Sequence, residues 1–122
     1  MFSLSKLNNS FKFALQGISH SVNENQNIKI HLIFAIFVLI FALLLGLTRY
    51  EFFGIGVLIT LVISAEMINS AIEEVVNLLV NEHRKEAKIA KDVSAGMVLI
   101  VSAFALVVGL FIFIPHLLTL LK

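Results

Sequence analysis

Three stretches of this chain are long and apolar enough to cross a bilayer: residues 28–47, 52–80 and 93–121. A hydrocarbon core needs ~20 such residues, and together the three take up most of a 122-residue chain. Composition points the same way. The chain is 59% hydrophobic and 14% charged, whereas water-soluble domains are ~45–50% apolar and ~25% charged. A chain this short has too little interior to hide so many Leu, Ile, Val and Phe side chains from water. The expectation is an all-α membrane protein, one domain over residues 1–122, with no internal repeat or linker.

The segment before the first span differs. Between Phe2 and about Asn23, the residues Leu4, Leu7, Phe11, Ala14, Leu15, Ile18 and Val22 recur at spacings of three and four, one face of a helix. Lys6, Asn9, Gln16, His20 and Asn23 fill the other face. A signal peptide would show a continuous apolar run and a small-residue cleavage site. This pattern suits a surface helix over residues 2–23, lying in the membrane plane. Lys6, Lys12 and Lys29 precede or open the first span, and Arg84, Lys85, Lys88 and Lys91 lie between the second and third. Only Arg49 and Lys122 fall on the other side. Positive loops stay cytoplasmic, so the N-terminus and the charged loop 81–92 are expected inside and the C-terminus outside. The formal net charge of +1 gives no reason to expect nucleic acid as a partner.

The second span carries the informative anomaly. Its first half, through Ile63, has no charge, while its second half contains Glu66, Asn69, Ser70, Glu73, Glu74 and Asn77. At ~100° per residue, Glu66, Asn69, Ser70, Glu73 and Asn77 share a stripe about 100° wide and roughly 16 Å long. Glu74 points away from it. A carboxylate at membrane depth costs on the order of 2.5–3.5 kcal/mol on insertion scales, and two on one face repel unless a cation, proton or lysine neutralises them. Asn and Ser alone would suit hydrogen bonding between helices; Glu66 and Glu73 suit it much less. The run 52–80 would reach roughly 43 Å, longer than the ~30 Å hydrocarbon slab, so its polar end should emerge at one surface.

Glu24 and the Lys91-Asp92 pair belong at that same boundary. Glu24, Glu73 and either Glu66 or Glu82, with a lysine, make an oxygen-rich set of the kind hard divalent ions take together with phosphate. The chain has no cysteine, and His20, His31, His83 and His116 are scattered, which leaves no zinc spacing. Neither GxxxxGK[ST] nor GxGxxG occurs, so any nucleotide would bind without a glycine-rich cradle.

Glu66-Met-Ile-Asn69-Ser-Ala-Ile-Glu73-Glu-Val-Val-Asn77, followed by Ala87-Lys-Ile-Ala-Lys91-Asp92-Val-Ser-Ala-Gly96, resembles the signature of the prokaryotic diacylglycerol kinase family, which includes undecaprenol kinases. The resemblance covers nearly the whole chain. It implies a homotrimer in a bacterial cell membrane that transfers the γ-phosphoryl group of ATP to a lipid alcohol with Mg2+. On it, Glu66 is the base and Asn69 orients groups beside it, while Glu24 and Glu73 bind metal. Lys91 and Asp92, with Glu82, His83 and Arg84, contact nucleotide; Phe13 is implied in nucleotide contact and Lys6 in substrate contact. Around Glu24 this chain has Asn-Glu-Asn-Gln-Asn where the family more often has Glu-Arg-Asn. The short N-terminal helix and the Lys-Ile-His run look more like the undecaprenol branch, with diacylglycerol the other acceptor.

Two rivals fit parts of the pattern. A small ion or proton carrier would use Glu66 and Glu73 as relay groups, leaving Glu24 and Lys91-Asp92 without work. A structural membrane subunit would tolerate Glu66→Gln.

Overall fold

The computed structural model describes residues 3–122, and these form four helices with no strand: α1 (Leu4–Glu24), α2 (Gln26–Leu44), α3 (Arg49–Leu79) and α4 (Lys85–Leu120). The last three are long and apolar enough to cross a membrane, as the hydropathy pattern predicts. Phe2, with which the surface helix was expected to open, lies outside the described residues.

No residue of α1 is buried. Leu4, Phe11, Leu15 and Ile18 stay uncovered by the rest of the chain, which suits a helix whose apolar face meets lipid. A single residue, Asn25, separates α1 from α2. Its extended backbone (φ −95°, ψ 115°) breaks the helix, and its N–H still bonds to the Ser21 carbonyl at 3.0 Å. Its side-chain oxygen then caps α2, accepting from the N–H groups of Asn27 at 2.8 Å and Ile28 at 3.3 Å. Those are donors that a helix start leaves without intrahelical partners. The polar run 23–27 is thus a hinge of one residue.

Along α2 the buried residues are Ile28, Ala35 and Ala42, spaced by seven and so aligned along one seam. The helix packs by that seam against α3, and the two alanines let the backbones approach closely. Gly46 ends α2 with φ +68°. Its N–H bonds to the Leu43 carbonyl and that of Leu47 to the Ala42 carbonyl, both at 3.2 Å, a Schellman arrangement that satisfies the last carbonyls. Gly46→Ala should cost about 1–2 kcal/mol for the left-handed backbone, and thermal unfolding in micelles checks it.

Thr48 and Glu51 make a reciprocal capping box at the start of α3: Thr48 N–H donates to Glu51 Oε2 at 2.8 Å, and Glu51 N–H to Thr48 Oγ1 at 3.3 Å. The residues 48–51 between the first two expected spans are therefore mostly the first turn of the helix. His116 Nε2 lies 3.0 Å from Glu51 Oε2, tying the end of α4 to the start of α3. Helix α3 packs on both α2 and α4 and buries Ile55, Leu58, Ala65, Glu66 and Asn69.

One boundary differs clearly from expectation. The charged stretch 81–92 was expected as a loop, yet only its first part is one, because α4 begins at Lys85. Glu, Ala and Lys are strong helix formers, Glu86 sits favourably in the first turn, and Lys88 pairs with Asp92 one turn on at 2.5 Å. Charge here marks a solvated helix. Pro115 lies inside α4 without ending it. At ~1.5 Å per residue, α2, α3 and α4 measure about 28, 46 and 54 Å; α2 alone matches a bilayer core.

Candidate active site

Asn69 reaches α4, and Glu66 and Glu73 lie about one turn to either side of it on α3. Ser94 Oγ donates to Asn69 Oδ1 at 2.6 Å, with the Lys91 carbonyl also in reach of that hydroxyl at 2.9 Å. The amide of Asn69 is thereby held with its nitrogen toward Glu73, donating to Oε1 at 3.2 Å. Asn69 and Ser94 are each 4% exposed. Such a buried chain is favourable because each polar group in it finds a partner.

Glu66 is the exception. It is 2% exposed, and its Oε1 is buried without a hydrogen-bond partner among the described residues. Its backbone carbonyl accepts from Ser70 Oγ at 2.8 Å, and Ser70 in turn accepts from the Asn25 amide. A buried carboxylate oxygen without a donor costs free energy, a cost that any hydroxyl or N–H brought to it would lower.

Nearer the end of α3, Lys91 Nζ donates to Asn77 Oδ1 at 2.5 Å. Asp92, next in sequence, is held by Lys88. Off the stripe, Glu74 meets His20 of α1 at 3.3 Å. The stripe, Lys91 and Ser94 are thus brought together by the antiparallel pairing of α3 with α4.

The other expected residues stand apart. Glu24 is the last residue of α1, exposed, and its carboxylate makes no hydrogen bond or ion pair among the described residues. The neighbouring amide of Asn25, not the Glu24 carboxylate, reaches α3. Lys6 and Phe13 lie exposed along α1, and Glu82, His83 and Arg84 lie exposed in the connection between α3 and α4. Ser94 and Asn25 are given no role by the sequence pattern. Ser94 could have been found from its place three residues after Lys91, on the same side of α4.

No three His, Asp or Glu side chains converge among the described residues. Mg2+ needs fewer, since it is usually held by one or two carboxylates together with substrate phosphates and waters. Glu73 fits that demand: a half-buried carboxylate with one oxygen steadied by Asn69.

Fold and site together define a protein with three helices long and apolar enough to cross a membrane and an acidic, partly unsatisfied polar cluster between two of them. The chain belongs to the prokaryotic diacylglycerol kinase family, whose pattern it matches over residues 12–113. It is 36% identical over 114 residues to an undecaprenol kinase of Bacillus subtilis (strain 168), covering 93% of each chain. It is also 36% identical over 113 residues to a diacylglycerol kinase of Synechocystis sp. (strain ATCC 27184 / PCC 6803 / Kazusa), covering 92% of this chain and 65% of that one.

Proposed function

We propose that this protein transfers the γ-phosphoryl group of ATP to the hydroxyl of a membrane lipid alcohol, undecaprenol ahead of diacylglycerol, in the cell membrane of a bacterium. The observation that carries the reading is the unpartnered Oε1 of Glu66. A lipid hydroxyl is a poor nucleophile until a base within ~2.6–3.2 Å accepts its proton. Glu66 takes that proton, the alcohol oxygen forms its bond to the γ-phosphorus, and the bond from that phosphorus to the β,γ-bridging oxygen breaks as ADP leaves. Asn69, fixed by Ser94, keeps Glu73 oriented. Lys91 lies toward the cytoplasmic end of the stripe, where a triphosphate arrives. Phosphoryl transfer asks mainly for such positioning and charge compensation. Mg2+, held by Glu73, would supply further neutralisation of the phosphates. Glu24, Phe13, Lys6, Asp92 and the segment Glu82-His83-Arg84 enter the reading as family-implied contacts, completed between copies of a homotrimer. The apolar faces left uncovered on all four helices are consistent with such an assembly in lipid.

Undecaprenol leads this reading on the short N-terminal helix and the Lys-Ile-His run, and the match to an undecaprenol kinase over 93% of both lengths supports that order. The test is transfer of radiolabelled γ-phosphate from ATP to undecaprenol and to diacylglycerol, side by side in detergent micelles. The expected result is labelled lipid in both, with undecaprenol used more efficiently. A preference for diacylglycerol reverses the order of acceptors. Ion flux in liposomes without ATP, and no labelled lipid, replaces the kinase reading with an ion or proton carrier.

A further inference from the structure

A lysine beside so many acids would ordinarily be claimed by one of them. Glu73 and Glu74 precede Asn77 on α3, and Asp92 follows Lys91 on α4. Each is otherwise engaged: Glu73 with the Asn69 amide at 3.2 Å, Glu74 with His20 at 3.3 Å, and Asp92 with Lys88 at 2.5 Å. Among the described residues Lys91 makes no ion pair; its ammonium is held by the side-chain oxygen of Asn77 at 2.5 Å. The distinction matters because an amide oxygen fixes an ammonium in place without cancelling its charge. A carboxylate at the same place would fix it too, and would compete with any anion arriving there.

We propose that Asn77 is a positioning residue for the nucleotide, presenting the Lys91 ammonium with its charge uncompensated to the incoming triphosphate. The inference rests on the reading of the chain as an ATP-dependent lipid kinase, and it assigns Asn77 a task beyond its place on the polar stripe. The diagnostic variant is Asn77→Asp, which keeps shape and acceptor and adds only charge. The site is exposed, so the fold should be unaffected; thermal unfolding of each variant checks this. Asn77→Ala, which removes the acceptor without adding charge, is the second variant.

Initial rates of phosphate transfer as a function of ATP should show Asn77→Asp raising KM for ATP by about tenfold, the scale of one charge-assisted contact, with kcat nearly unchanged. Asn77→Ala should lie between the two. Equilibrium binding of ATP without lipid should weaken in the same order. A wild-type KM in Asn77→Asp, or a fall in kcat at constant KM, overturns the assignment while leaving the kinase reading standing. ATP binding that responds to Asn77→Asp, in a protein that phosphorylates no lipid alcohol, upholds the assignment and overturns the kinase reading. No ATP binding by the wild-type protein overturns both.

Discussion

Glu66→Gln should lower the rate of lipid phosphorylation by about two to four decades, the usual worth of a positioned general base, while the protein unfolds at or above the wild-type midpoint. The two effects have one origin. Glu66 is 2% exposed with an oxygen that finds no donor. Gln matches its volume and keeps hydrogen-bonding capacity, yet it brings no charge into a site where a charge is costly. Loss of function together with held or increased stability separates catalysis from helix–helix adhesion. A variant that phosphorylates lipid at the wild-type rate would remove Glu66 from the reaction. The measurement is a transfer assay beside a melting curve in the same micelles.

Glu73→Ala should abolish lipid phosphorylation, with a loss of at least about a hundredfold, comparable with removing one preorganised electrostatic group. Raising Mg2+ should rescue little. The substitution removes a charge and leaves the Asn69 nitrogen, which donates to Glu73 at 3.2 Å, without its acceptor. Glu73→Gln divides these contributions, since its side-chain oxygen can still accept from Asn69. If charge is what matters, Gln is as inactive as Ala; if orientation of Asn69 is what matters, Gln recovers most of the activity. Near-normal turnover in Glu73→Ala would show that the phosphates are neutralised elsewhere.

The spans and the stripe were legible in the sequence because each is a periodic property of a single helix. Apolar length marks α2, α3 and α4, and the 3.6-residue repeat alone places Glu66, Asn69 and Glu73 on one face. What was hidden depends on register between helices. The spacing of α4 puts Ser94 on the side of Lys91 but does not set it opposite Asn69, because that pairing depends on how far α4 slides along α3. The start of α4 was missed for a different reason: Lys88 and Asp92 look like loop residues until they are seen to pair across a turn. Glu24 illustrates how sharply a helix end governs a side chain. At ~100° per residue, one step from Glu24 to Asn25 exchanges an exposed carboxylate for an amide that reaches Ser70.

The unequal lengths of the helices have a consequence for how this enzyme meets its two substrates. The first crossing is about 28 Å long, and its neighbours exceed it by about 18 and 26 Å. With α2 matched to the bilayer core, the excess of the α3–α4 hairpin would rise past the headgroups like a pier. Glu66 would then stand near the waterline and Lys91 above it. A greasy alcohol need never leave its leaflet, nor a nucleotide the aqueous phase. A bilayer several ångströms thicker is expected to slow transfer by submerging the Lys91 end of the hairpin, and assays in lipids of graded chain length check this.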